Sequence, residues 1–452
     1  MSMIAGLKPY PAVKDSGVPW LGDVPEHWDL RKLRHVLQRH TQRNRPELPL
    51  LSVVREKGVI LRDTTSTDEN HNFIPDDLSN YKVVRAGQFA MNKMKAWQGS
   101  YGVSRHDGIV SPAYFVFNLS GLEGDFFHTA VRSRAYVPAF TRASDGVRIG
   151  QWDLAEPRMR EIHFLVPPLP EQAAIVRFLD HADRRIRRYI RAKQKLIKLL
   201  EEQKQATIHR AVTRGLDPNV RLKPSGVEWL GDVPEHWEVR RLKTLVSRVT
   251  SGSRGWSDYA AEAGALFIRI GNLTRASIDL DLGNVVRLHL PQQVLGEAAR
   301  TRVLQDDILL SITAFIGSVA IVPAGMEEAY VSQHVACCRP RPGVSNPRWI
   351  AYVLLSSVGQ THGQLSMYGG TKQGLSLDDV KNYVVLLPRA GEQDRLVDWI
   401  ERTSANLDAG IISTKREIDL LCEYRTRLIA DVVTGKLDVR EAAAGLPDEA
   451  EV

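Results

Sequence analysis

The chain has 452 residues, 43% of them hydrophobic and 25% charged, with a formal net charge of +7. That length corresponds to about three ordinary domains of ~150 residues, and the hydrophobic share excludes a disordered or fibrous chain. Three cysteines, Cys337, Cys338 and Cys422, cannot build a disulfide framework and lack zinc-ligand spacing, which fits a reducing compartment.

From the N-terminus, residues 1–15 (MSMIAGLKPYPAVKD) lack the basic-then-apolar layout of a signal peptide. Residues 16–28, SGVPWLGDVPEHW, return at 225–237 as SGVEWLGDVPEHW, identical at twelve of thirteen positions with an offset of 209. A second pair follows at an offset of 221. Glu171-Gln172 matches Glu392-Gln393, and Val212-Thr213 with Leu216-Asp217 matches Val433-Thr434 with Leu437-Asp438. The chain is therefore a two-fold repeat of domain-sized units, too long for a solenoid. The expected division is a first α+β head over 1–167, a first long helix over 168–217, a second head over 218–388, a second helix over 389–438 and an acidic tail over 439–452.

In the first head, 111–118 and 162–166 read as strands; in the second, 265–270, 308–312 and 383–387 do. The apolar run 308–324 is membrane-like in length. Its Ser311, Thr313, Gly317, Ser318, Pro323 and many β-branched residues instead predict two core strands. A cytoplasmic protein with no membrane partner is expected.

The segments 171–217 and 392–438 place mostly apolar residues at three/four spacing: Ile175, Leu179, Ala182, Ile186, Tyr189, Leu196, Leu200, Ile208 and Ala211 in the first, Leu396, Ile400, Thr403, Leu407, Ile411, Ile418, Leu421, Tyr424 and Leu428 in the second. Neither contains an internal proline. The first carries a net charge of +6 and the second −3. Two unrelated surface helices would satisfy the periodicity alone. Opposite net signs favour pairing of the two, and an antiparallel coiled coil would set one head at each end of a pseudo-dyad.

No phosphate loop, dinucleotide fingerprint, zinc-protease helix, nucleophile elbow or N-P-P-[FYW] run is present. His27 and His236 occupy equivalent repeat positions, where a structural hydrogen bond is expected, and Trp20, Trp28, Trp229 and Trp237 read as core anchors. What remains are polar loops with cations and aromatics, the side chains that hold phosphates and read base edges. In the first head these are Lys93, Lys95, Trp97, Gln98 and Tyr101, then Arg142, Arg148 and Gln151. In the second they are Ser251, Ser253, Arg254 and Trp256, then Arg269 and Asn272, then Lys372 and Gln373 in the 369–376 loop. Taken singly, each loop also fits a solvated turn.

SGV-x-WLGDVPEHW at the start of each half, two diverged heads, and a long helix introduced by Pro168-Leu169-Pro170-Glu171-Gln172 resemble the specificity subunits of type I restriction-modification systems. The second copy, Leu387-Pro388-Arg389-Ala390-Gly391-Glu392-Gln393, lacks the second proline. The resemblance implies two target recognition domains, each reading one half of a bipartite, asymmetric double-stranded DNA site. It also implies two helices forming an antiparallel coiled coil, on which two methyltransferase subunits dock, with restriction subunits joining the complex. The subunit itself would be non-catalytic and hold no cofactor, S-adenosylmethionine, ATP and Mg being expected on the partners. A stand-alone two-headed DNA-binding regulator and a duplicated hydrolase with an unrecognised site remain alternatives.

Overall fold

A computed structural model describes residues 6–63, 74–146, 152–367 and 374–447. The chain folds into two compact units, one made of 1–193 with 416–452 and the other of 194–415. The fold is mixed α and β, and both expected long helices form, over Leu169–Arg214 and Ala390–Val433.

In the first unit, strand Asp29–Lys32 pairs antiparallel with His163–Val166, which brings the end of the SGV motif beside the start of the first long helix. Next comes a four-stranded antiparallel sheet in the order Leu37–His40, Phe115–Leu119, Phe89–Met91, Tyr101–Val103. Alternate residues serve opposite faces, as the two-residue period of a strand requires. Phe89, Met91 and Phe117 enter the main core, whereas Ala90 and Val116 meet Leu51, Val53 and Val59 in a smaller cluster. Helix Gly124–Val131, capped by the Glu123 carboxylate, closes the core with Phe126, Phe127, Ala130 and Val131. The expected strand 111–118 is Phe115–Leu119. Its first residues form a turn closed by Tyr114 N–H on the Ser111 carbonyl, with Pro112 at a position that needs no donor.

The second unit repeats this plan under a sequence that diverges outside the shared motifs. Glu238–Arg241 pairs antiparallel with Val384–Leu387, and an antiparallel sheet runs Val246–Ser251, Val335–Pro340, Ile308–Ser311, Val319–Ile321. Helix Pro347–Leu355, capped by Asn346, stands where Gly124–Val131 does in the first unit. A second sheet is added in the order Ala260–Ala261, Val286–Leu288, Ala265–Ile268, Ala329–Val331, its last pair parallel. The run 308–324 thus supplies two core strands, and among the described residues no helix is long and apolar enough to cross a membrane.

The long helices begin at equivalent places, two residues before Glu171 and Glu392, so Gly391 in place of Pro170 leaves the start unchanged. A first-turn proline loses no intrahelical bond, which is why the exchange is tolerated. Both end on a left-handed glycine, Gly215 at φ +71° and Gly435 at φ +73°. In the first unit, antiparallel pairing is fixed by ion pairs from Arg425 to Asp183 and from Lys193 to Glu417. In the second, buried Lys204 reaches both Asp408 oxygens at 2.7 and 2.8 Å, and Leu200 lies against Gly410. Two expected core positions are corrected: Tyr189 and Leu196 are exposed, because the buried stripe concentrates near the helix ends, at Ile175–Ile186 and Ile208–Val212.

Candidate nucleic-acid interface

Each unit is fastened by a clasp built from the repeated motifs. The Glu171 carboxylate accepts from Trp28 Nε1 at 3.0 Å and from the Tyr10 hydroxyl, and meets His27 Nε2 at 2.7 Å. Glu392 repeats this with Trp237 at 3.0 Å and His236 at 2.8 Å. The neighbouring glutamines also repeat. Gln172 accepts from Glu123 N–H and donates to the Pro167 carbonyl, both at 2.8 Å. Gln393 accepts from Asn346 N–H at 2.9 Å and donates to the Pro388 carbonyl at 2.8 Å. His27 and His236 therefore hold structure, as expected, and the tryptophans anchor the core. Fixed this way, each head offers its own loops on a frame that repeats within the chain.

In the first unit the connection between strands Phe89–Met91 and Tyr101–Val103 lines a cleft of about 970 Å³. Lys95, Trp97 and Gln98 from this loop meet there with Arg55 and with Trp152, whose ring centroid lies 5.3 Å from that of Trp97. Lys93 turns to Asp153 at 3.0 Å and so brings a neutralised charge. Behind the cleft, Lys82 donates to the Tyr114 carbonyl at 2.5 Å. Burial, then the neighbouring cations Arg39 and Arg43, hold its ammonium below the usual lysine range. Arg39 stacks over Phe115 with 4.2 Å to the ring centroid and pairs with Glu156. Arg142 is exposed at the end of helix Val137–Arg142. Arg148 and Gln151 lie outside the described residues.

Tyr101 requires a correction. It is fully buried, its ring 4.4 Å from that of Phe140 and its hydroxyl donating to the Val131 carbonyl, so it is a core residue and no stacking platform. Sequence reading misjudged it because the polar loop ends one residue earlier, at Ser100.

The second unit separates its predicted residues more sharply. Arg254 and Arg269 are exposed cations. Trp256, 2% exposed, packs edge-on against Tyr330 and is corrected to a core residue. Asn272, also 2% exposed, is corrected to a turn lock: it accepts from Arg269 N–H and donates to the Asp281 and Asn284 carbonyls. Ser251 is a strand residue paired with Ala336, and the Ser253 hydroxyl is engaged by Glu297. Lys372 and Gln373 lie outside the described residues.

Sequence reading missed the structural counterpart of the Lys95–Trp97 loop. It is the connection 312–318 between strands Ile308–Ser311 and Val319–Ile321, hidden inside the apolar run. It borders a recess of about 450 Å³ with Arg275, Gln360 and Gln364, and holds Phe315 with 74% of its surface exposed. Its position in the sheet order, not its composition, marks it.

Comparison with known proteins agrees with this organisation. Residues 234–415 match the family model described as Type I restriction modification DNA specificity domain. The chain is 22% identical over 279 residues to the type I restriction enzyme MjaVIII specificity subunit of Methanocaldococcus jannaschii, covering 61% of this chain and 62% of that one. It is 24% identical over 290 residues to the EcoBI specificity subunit of Escherichia coli, covering 63% and 59%. The matched segments thus span about three fifths of these relatives. Among solved structures, one from a study of complex assembly and conformational transition of the type I R-M system superposes with TM-score 0.67 at 17% identity, over 92% of this chain and 99% of that one. The HsdS subunit of Thermoanaerobacter tengcongensis gives TM-score 0.51 at 18% identity, over 92% and 98%. These likenesses show the fold and bear out the resemblance drawn from the repeated motifs.

Proposed function

We propose that this chain, a relative of the type I specificity subunits with a DNA specificity domain over 234–415, is the DNA-reading subunit of a type I restriction-modification complex. The carrying observation is the pair of identical sheet orders, each clasped by the same Trp–His–Glu set yet bearing unlike loops at the same connection. A frame kept constant while its loops change suits two heads that read different half-sites of one bipartite duplex target.

Lys95, Gln98 and Trp97 would contact DNA from the first head, Arg254 and Arg269 from the second. The heads are only mildly cationic, so a few placed side chains carry the affinity. The exposed apolar residues of the long helices support docking of methyltransferase subunits: Tyr189 and Leu420 in the first unit, Leu196, Leu199 and Ile412 in the second. In this reading the chain supplies no reacting group. S-adenosylmethionine, ATP and Mg, and the flipping of the target adenine, belong to the partner subunits.

Methylome sequencing of cells expressing the chain with its cognate methyltransferase subunit tests the proposal directly. A bipartite adenine-methylation motif that disappears without this chain is expected. Tight binding to a site by the chain alone, with no methyltransferase subunit captured, would instead favour the stand-alone regulator. Turnover of a small substrate with no DNA retention at ~100 mM salt would favour the hydrolase.

A further inference from the structure

Phe315 is a large aromatic in the left-handed region, φ +56°, where bulky side chains are seldom found. It is also the most exposed large hydrophobic residue described, at 74%. The loop is over-determined by hydrogen bonds to its carbonyls. The Phe315 carbonyl accepts from the Ser311 hydroxyl at 2.6 Å and the Ser318 hydroxyl at 3.1 Å. Arg275 Nη2 donates to the Ile316 carbonyl at 2.6 Å, and Gln360 Nε2 to the Gly317 carbonyl at 2.7 Å. Gly317, at φ +89°, lies so close to Gln360 that a Cβ there would stand 2.5 Å from its Oε1. Four side-chain donors thus hold a strained backbone whose effect is to keep one phenyl ring out in solvent. A turn with no task would carry Gly, Asn or Asp at that position.

The equivalent connection of the first unit has its own exposed apolar residue. Met94 is 47% exposed and borders the cleft with Lys95 and Trp97, its N–H held by Asn92 Oδ1 at 3.1 Å. Two unlike sequences therefore place an unbranched or aromatic apolar side chain, flanked by cationic and amide groups, on the same connection of the same sheet.

We propose that Phe315 is a wedge that enters the base stack of the second half-site, and that Met94 does the same in the first. The inference rests on the DNA-reading function proposed above. Apolar side chains of this size unstack a base step when cations and amides alongside hold the backbone, and a pre-strained, rigid loop avoids the entropy of ordering the ring on binding.

The test uses the complex assembled with its methyltransferase subunits and a duplex bearing the methylome-derived site, with 2-aminopurine placed at each position of both half-sites in turn. Besides the signal at the adenine flipped by the methyltransferase, the wild-type complex is expected to raise fluorescence at one further step of the second half-site. Phe315→Ala should abolish the signal at that further step and weaken binding roughly tenfold, leaving the first half-site unchanged. Met94→Ala should do the reverse. Phe315→Gly separates function from stability: it relieves the left-handed strain, so the melting temperature should hold or rise while the signal is lost. A bound wild-type complex with no 2-aminopurine signal beyond the flipped adenine and a Phe315→Ala variant of equal affinity would overturn the wedge alone. Loss of methyltransferase capture by Phe315→Ala, with DNA contacts unchanged, would make Phe315 a protein contact and overturn it too. A wild-type complex that retains no duplex brings down the DNA-reading function, and the wedge with it.

Discussion

Trp28 donates its indole N–H to Glu171 at 3.0 Å, tying the end of the SGV motif to the first turn of a helix 143 residues further on. The bond explains why the two motifs recur together in each half. A buried carboxylate needs its acceptor sites filled, and the tryptophan and histidine of E-H-W fill them. The clasps differ in one member: Tyr10 completes the first, whereas Asn219 stands at its counterpart, and Glu392 is accordingly 23% exposed against 6% for Glu171. Glu171→Ala should destabilise the first unit by about 3 kcal/mol, since it strands buried donors, and Glu392→Ala the second by less. Hydrogen exchange resolved by segment would show protection lost in one unit only; equal losses in both would contradict the ranking.

Asp307 is fully buried and accepts from Arg339 Nε at 2.9 Å, Arg339 Nη2 at 2.8 Å and Leu304 N–H at 2.8 Å. Arg339→Ala leaves this carboxylate buried without its cation and should cost about 3–5 kcal/mol. Urea unfolding followed by Trp349 fluorescence would measure it, and a loss below 1 kcal/mol would be inconsistent with the buried pair.

His128 accepts from Val103 N–H at 3.2 Å through Nδ1, and burial, then the cation of Arg132, lowers its pKa to about 4. The folded first unit therefore binds fewer protons than the unfolded chain between about pH 6.5 and 4. Stability should fall through that window as pH is lowered, by roughly 3 kcal/mol at most. Melting temperatures of wild type and His128→Gln across the window should converge at low pH; parallel curves would remove His128 as the cause.

Lys204 is buried against Asp408 in the second unit. Lys204→Ala should destabilise helix pairing there by about 1–3 kcal/mol, and exchanging the charges, Lys204→Asp with Asp408→Lys, should recover part of the loss. A double-mutant cycle gives the coupling, and additive losses would mean that the pair does not interact. Leu196→Pro should break the first long helix and abolish methyltransferase docking; unchanged capture would count against the helices as the docking surface.

The repeat, the long helices and the two-strand reading of 308–324 were legible because each rests on spacing: an offset of 209, a three/four apolar period, and glycine and serine placed inside an apolar run. The candidate surface was legible only in part. Composition singled out Lys95, Trp97 and Arg254, but it could not separate Trp256 or Asn272 from them, since a buried aromatic and a turn-locking amide look the same in a loop sequence. Phe315 escaped for the opposite reason. An apolar residue within an apolar run carries no local signal of exposure, and only the matching strand order of the two sheets shows that it sits where Lys95 and Trp97 sit.

The first compact unit is not a continuous stretch of chain: it is completed by residues 416–452 and closes through Gly435 against Pro25 and Trp28. On a ribosome adding ~5–20 residues per second, the first head waits roughly 10–45 s between emergence of its own core and arrival of the helix that covers it. The second unit, continuous over 194–415, needs no such wait, because all of it is made before residue 416. Synthesis therefore reverses the order of the chain: the later head can finish first, and the earlier one stays open to chaperones or to a partner subunit until residues 416–452 are made.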